Sequence, residues 1–317
     1  MRAQLAQVLA LVAVLTAAGG ASAATPLPTR VYVPYFETWT PDSLTATAEQ
    51  SGARHFHLAF LETLSKASCT LAWNGRPSDT VSNGRYLSDI ASLRALGGDV
   101  IPSFGGWSAD QRGTEIADSC KDVNAIAAAY EDLISRYDVT RIDMDIEGRS
   151  LRRPAGIERR NRALTLVQAW AAAEGRPLQV SYTLPTARSG LQATARAVLQ
   201  NAIRNGTRVD VVNIMAFDYH DRVKTDMGTA ALKAASRLFA QLRTLYPMKT
   251  RAELGAMIGI TLMPGFDDYP KKTERTTVAH ARRVLDYARA RGLGTLSIWS
   301  IQRDPGGFTD VLQPFTG

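Results

Sequence analysis

Residues 139–148 read Val-Thr-Arg-Ile-Asp-Met-Asp-Ile-Glu-Gly, so that Asp143, Asp145 and Glu147 alternate with Ile142, Met144 and Ile146. At the two-residue period of an extended strand, the three carboxylates share one face and the three apolar side chains the other. Carboxylates stacked on one side of a buried strand raise one another's pKa, because each neighbouring charge and each step of desolvation disfavours the next ionisation. Such an arrangement is costly as packing and useful as acid chemistry. Alone, the stretch also describes a half-buried strand with a solvated acidic face. Its apolar surroundings and the glycine after the last acid favour a central strand that ends at a site.

Outward from this strand, short apolar and β-branched runs recur at 30–36, 54–61, 98–104, 139–147, 178–184, 209–217, 256–263 and 294–301. Amphipathic stretches lie between them: Tyr86 to Leu96, Val123 to Tyr137, Arg159 to Ala173, Leu191 to Arg204, Ala231 to Leu245 and Val278 to Arg291. Strands alternating with helices imply a parallel sheet with crossovers, and eight such units predict an α/β fold of the closed (β/α)8 TIM barrel type, in a single domain. The competing architecture, an open doubly wound sheet, lacks a GxGxxG turn after the first strand. In a barrel the functional groups sit at the carboxyl ends of the strands. That rule puts Tyr35 at the end of the first strand, Ser103-Phe104-Gly105-Gly106-Trp107 after the third and Glu147 at the end of the fourth. Met215-Ala216-Phe217-Asp218-Tyr219 follows the sixth strand, and Trp299-Ser300 the eighth.

The amino-terminal stretch has a positive start at Arg2, an apolar run from Leu5 to Ala17 and the small residues Ala21-Ser22-Ala23. It is predicted to be a signal peptide over 1–23, leaving a secreted barrel over 24–317, extracellular or periplasmic, with no membrane attachment after cleavage. A retained anchor would need about 20 apolar residues, and Gly19-Gly20 breaks the run early. In an oxidising compartment, Cys69 and Cys120 can form a disulfide worth about 4 kcal/mol in the chain-entropy model; two unpaired thiols are the alternative. The formal net charge is +7, but the basic residues are scattered over helix surfaces without an aromatic-interleaved stripe, which argues against nucleic acid as a partner.

Together the rim residues resemble glycoside hydrolase family 18, the chitinases and related endo-β-N-acetylglucosaminidases. The residues carrying the resemblance are Asp143-x-Asp145-x-Glu147, Ser103-x-Gly105-Gly106, Met215-x-x-Asp218 and Trp299, in that family's order. Thr140 stands at the position of the family's first aspartate, and Phe217 where many members place a tyrosine that steadies the substrate's acetamido group. Tyr219 and Tyr182 are the candidates to replace it.

The resemblance implies hydrolysis of β-1,4-linked N-acetylglucosamine, with the substrate's own 2-acetamido oxygen as nucleophile and no cofactor. Glu147 would be the general acid and base, Asp145 the residue that orients the acetamido group, and Asp143 a deeper acid sharing a proton with Asp145. Trp299 would form the floor under the sugar, with Tyr35, Gly105, Gly106, Trp107, Tyr182, Met215, Phe217, Asp218 and Tyr219 around it. Trp39, Trp73 and Trp107 suit further sugar subsites or simple loop packing. The same likeness implies non-proline cis peptides at Ala59-Phe60 and Trp299-Ser300. A monomer is expected.

Three rival readings remain. His55-x-His57 could place two imidazoles on one strand face as metal ligands, but only His220 and His280 are left to complete a set, so no metal site is expected. A sugar-binding member without activity is the second reading, and an endo-β-N-acetylglucosaminidase acting on N-glycans is the third.

Overall fold

The computed structural model describes residues 24, 26–221, 223, 226–269 and 274–317, so the signal-peptide stretch at 1–23 lies outside the described residues. Eight parallel strands form the barrel: β1 (Val31–Tyr32, resuming as Tyr35–Glu37), β2 (His55–Thr63), β3 (Asp99–Gly105), β4 (Arg141–Asp145), β5 (Gln179–Ala187), β6 (Val211–Met215), β7 (Ile258–Leu262) and β8 (Thr295–Ile298). The first half of β1 pairs with β8 and the second half with β2, so the sheet closes on itself. Pro34, which has no N–H for a ladder, sits at the break. There Val33 N–H donates to Leu296 on one side, while the Pro34 carbonyl accepts from His57 on the other. The barrel expected from the alternation is therefore formed, in a single run of units.

Helices α1 (Leu44–Ser51), α2 (Leu87–Ala95), α3 (Val123–Tyr137), α4 (Pro154–Ala173), α5 (Ala193–Arg204), α6 (Met227–Leu245), α7 (Val278–Arg291) and α8 (Phe308–Leu312) follow the strands in turn. Two helices start earlier than their apolar periodicity implies. α4 begins at Pro154, where a fixed φ suits the first turn, and α6 is capped by Asp226, which accepts from Thr229 N–H. α1 escaped the sequence reading because Thr45, Thr47 and Ser51 give it little helix propensity; Ser43 caps its start and Gly52 its end.

The main hydrophobic core lies between sheet and helices and includes Ile142, Met144, Val180, Tyr182, Leu184, Ile214, Leu296 and Ile298. The inside of the barrel differs. Val31, Val33 and Ile101 make a small apolar cluster there. Above it the inward positions carry buried polar groups, among them His57, Ser103, Asp143, Ser181, Thr183 and Asn213. A short antiparallel strand, Leu71–Trp73, pairs with the end of β2. Cys69, just before it, is disulfide-bonded to Cys120 across 51 residues of chain. A hairpin of Gly265–Phe266 and Arg275–Thr276 follows β7.

Candidate active site

β4 carries its acids to three depths. Asp143 is fully buried inside the barrel. Ser181 (2.6 Å) and Thr183 (2.9 Å) donate to its Oδ1, and Ser103 (2.8 Å) donates to its Oδ2. The Tyr35 hydroxyl, 2.8 Å from Thr183 Oγ1, reaches the same Oδ2 at 3.2 Å. Asn213 supports Thr183 in turn, donating to its hydroxyl at 3.0 Å. Both oxygens of Asp143 are thus fully served by hydroxyl donors from three other strands.

Asp145 is 4% exposed, and its Oδ1 is buried with no hydrogen-bond partner among the described residues. Burial first, then the charges of Glu147 and Asp143, push its pKa well above the ordinary carboxylate range. The two acids thus differ in their surroundings: Asp143 has its acceptor sites occupied by hydroxyls, and Asp145 does not. A buried polar atom left unpaired costs about 1–3 kcal/mol, which sets the Oδ1 of Asp145 apart from the satisfied oxygens of Asp143.

Glu147 stands two residues beyond the β4 ladder and is partly exposed. Its pKa is pushed up to about 7, by loss of hydration first and then by the charges of Asp110 and Asp218, while the Trp107 backbone N–H acts in the opposite direction. A carboxyl group near neutrality can give a proton and take one back.

The Gly105-Gly106 pair brings the end of β3 against this strand. Both residues have positive φ (+103° and +79°). A Cβ on Gly105 would lie 2.2 Å from the Asp145 carbonyl oxygen, and one on Gly106 would lie 2.6 Å from the Phe60 ring. Only glycine satisfies both the backbone conformation and the space.

Aromatic rings gather over the acids from β1, β2 and β8. Phe60 stacks on Trp299 at 5.4 Å, Trp39 stacks on Phe60 at 6.2 Å, and Tyr35 meets Trp299 edge-on at 5.4 Å. The Ala59-Phe60 and Trp299-Ser300 peptides are both cis. Trp299 is partly exposed, and Trp107 (60%) and Trp39 (39%) stand open to solvent at the rim.

Not every residue expected at the site is there. Tyr182 alternates with Ser181 and Thr183, so when those two face Asp143 it must face outward; it is buried against α4, with its hydroxyl 2.5 Å from Asn161 Oδ1. Tyr219 is buried under the Arg188 guanidinium, 4.5 Å from the ring centroid, and its hydroxyl has no partner among the described residues. Neither one hydrogen-bonds to Asp145 among the described residues. Trp73 is a core residue, fully buried and donating to the Tyr137 hydroxyl. Met215 and Phe217 remain at the end of β6. Asp218 beside them holds a left-handed conformation (φ +47°), donating its N–H to Asp267 Oδ2 (2.8 Å) and accepting from Tyr269 N–H (2.7 Å).

Ser181, Thr183, Asn213 and Asp110 are site residues that the sequence reading missed. The first three were accessible through the same two-residue period that grouped the acids. Asp110 lies on a short helix, Gly106–Arg112, and had no such signal. His55 and His57 are buried in the barrel, and both pKa values are lowered by burial, His55 to about 4. No cluster able to hold a metal occurs among the described residues.

Comparison with known proteins agrees with this geometry. A sequence model of glycosyl hydrolases family 18 matches residues 31–278. A probable bifunctional chitinase/lysozyme of Escherichia coli (strain K12) is 34% identical over 300 residues, 92% of this chain and 33% of its own length. Endochitinase 11 of Metarhizium anisopliae is 34% identical over 288 residues, 87% of this chain and 53% of its own length. The chain thus spans between a third and about half of these curated relatives. Among solved structures, the catalytic domain of a hyperthermophilic chitinase from Pyrococcus furiosus matches with a TM-score of 0.78 at 27% identity, covering 92% of this chain and 96% of that one. Catalytic site mutants of active domain 2 of a thermostable chitinase from Pyrococcus furiosus, complexed with chito-oligosaccharides, match with a TM-score of 0.78 at 27% identity, covering 92% of this chain and 95% of that one. With a family match over most of its barrel and these acids on its fourth strand, the chain belongs to glycosyl hydrolases family 18.

Proposed function

We propose that this chain hydrolyses β-1,4-linked N-acetylglucosamine in chitin or chitooligosaccharides by a substrate-assisted, retaining reaction with Glu147 as general acid and base. The observation that carries this reading is the unpartnered Oδ1 of Asp145, buried between a fully served Asp143 and a Glu147 with a pKa near 7. The N–H of a 2-acetamido group is a donor that fits that vacant acceptor. With the N–H held there, the acetamido carbonyl oxygen is turned toward C1 of the same sugar.

Glu147 then gives its proton to the leaving glycosidic oxygen as the C1–O bond breaks and its electron pair goes to that oxygen. The acetamido oxygen closes on C1 to give an oxazolinium ion, whose positive charge faces Asp145. In the second step Glu147, now a carboxylate, takes a proton from water as the water oxygen attacks C1 and the acetamido oxygen departs. Two inversions return the β configuration. Trp299, backed by Phe60, offers a flat apolar face to the C–H side of the ring, and Trp39 and Trp107 extend that surface along the rim.

The signal-like sequence supports a secreted protein maturing near Ala24, and the domain over 24–317 acts in this reading as a monomer without cofactor or nucleic acid. No helix among the described residues is long and apolar enough to cross a membrane.

The test is incubation of the protein over 24–317 with N-acetylglucosamine tetramer and hexamer, following product anomers by proton NMR. Shorter oligomers released first as β anomers are expected. Release as α anomers would contradict retention, and binding without cleavage would make the chain a sugar-binding member.

A further inference from the structure

Behind Glu147 lies a buried polar chain that the reaction itself does not use. Gly148, the next residue, adopts φ +44°, and a Cβ there would sit 2.4 Å from Asp110 Oδ2, so the Asp110 carboxylate lies directly against the backbone that carries Glu147. Asp110 is 2% exposed. Its Oδ1 accepts from the Ser150 N–H (2.8 Å), with the Ser150 hydroxyl 3.2 Å away, and its Oδ2 accepts from Gln111 Nε2 (2.9 Å). The Ser150 hydroxyl has one proton and places it closer to Asp118 Oδ2, at 2.6 Å. Asp118 is paired with Arg153 at 2.9 Å, so its charge is balanced. Asp110 has no cation among its partners in the described residues. An unbalanced carboxylate therefore stands beside the proposed proton donor and grips the turn that follows it.

Resting on the proposed glycosidase reading, we infer that Asp110 is a positioning residue for Glu147: it fixes the Gly148–Ser150 turn and sets the pH range over which Glu147 can act as proton donor. The charged groups facing Glu147 come from three directions. Asp145, with Asp143 below it, lies on the same strand, Asp218 lies in the loop after β6, and Asp110 comes from the helix after β3. Of these charges Asp110 is the largest contributor to the raised pKa of Glu147. Asp110 is also the one that carries no assigned part in binding the sugar. The sign follows directly: removing a neighbouring negative charge makes Glu147 release its proton at lower pH, and a general acid that is already ionised cannot protonate the leaving group.

The test compares wild type, Asp110→Asn, Asp110→Ser and Ser150→Ala by two readouts: the pH dependence of kcat/KM on a chitooligosaccharide, and the 13C titration of the Glu147 carboxyl, assigned with Glu147→Gln. In the neutral Asp110 variants the alkaline limb of kcat/KM and the Glu147 midpoint should both move down by about one pH unit. Rates several-fold lower than wild type are then expected on the alkaline side, with little change on the acid side. Ser150→Ala loosens the same turn without removing the charge and should leave the midpoint in place. An unmoved Glu147 midpoint in Asp110→Asn, an equal shift in Ser150→Ala, or loss of the fold in both neutral variants would each overturn the inference. If wild type cleaves no oligomer, the glycosidase reading fails, while the carboxyl titration still decides whether Asp110 controls Glu147.

Discussion

Asp143, Asp145 and Glu147 are the same kind of group at the same spacing, and the structure gives them three different environments. Asp143 is held by hydroxyls from β1, β3 and β5, the Oδ1 of Asp145 is buried without a partner among the described residues, and Glu147 is partly exposed. The spacing alone put them on one face, because the strand period is two and nothing else competes. Their different environments were not legible from the spacing, since they depend on the hydroxyls that three distant strands bring to Asp143. The error over Tyr182 has the same origin. Once Ser181 and Thr183 are read as inward, Tyr182 must be outward, and that parity is visible in the sequence only when the whole strand is read as a unit. Asp145→Asn tests the residue-level account. It keeps the shape and removes a carboxyl whose ionisation is disfavoured, so the fold should hold its thermal midpoint or gain. In the proposed reaction hydrolysis of chitooligosaccharides should fall by about 10²–10³-fold, because an amide is a weaker acceptor for the acetamido N–H and cannot ionise as the oxazolinium charge develops. A variant with wild-type turnover would remove Asp145 from the reaction.

The elements that carry the site are short and irregular at their ends, and there the sequence was a weaker guide than in the strands. The strand runs were legible because β-branched and apolar residues cluster in them. The barrel helix α1 was not, because its threonines and serine blur the apolar stripe and only the Ser43 cap and Gly52 stop mark it. The hairpin after β7 and the helix Gly106–Arg112 have too few residues to show a period at all. The Gly105-Gly106 exit from β3 was readable as a sharp turn, and the structure supplies its reason: Phe60 and the Asp145 carbonyl fill the space where a side chain would go. Gly106→Ala is therefore expected to lose about 1–3 kcal/mol of stability from the left-handed conformation alone, with a further cost for displacing Phe60 from Trp299. Urea melts measure the loss, and KM for the hexamer should rise with it. Unchanged stability would mean that β3 has another way to leave the barrel.

At the scale of the whole molecule, closure of the barrel is what turns a strand pattern into a site. β1 lies between β8 and β2, so Tyr35 from the first strand and Trp299 from the last meet above acids from the fourth. Eight alternating units were enough to expect this, since each right-handed crossover brings the next strand alongside the last. The polar interior was not expected from composition. It follows from inward positions occupied by serine, threonine, asparagine and histidine, each of which finds a partner only after closure. The most direct measurement of the central claim is turnover of N-acetylglucosamine hexamer by Glu147→Gln beside wild type, with oligomer binding followed by calorimetry in both. Glutamine keeps the size of the side chain but has no proton to give, so hydrolysis should fall by about 10²–10⁴-fold while binding persists. Hydrolysis at the wild-type rate by Glu147→Gln would contradict the assignment of Glu147 as the proton donor.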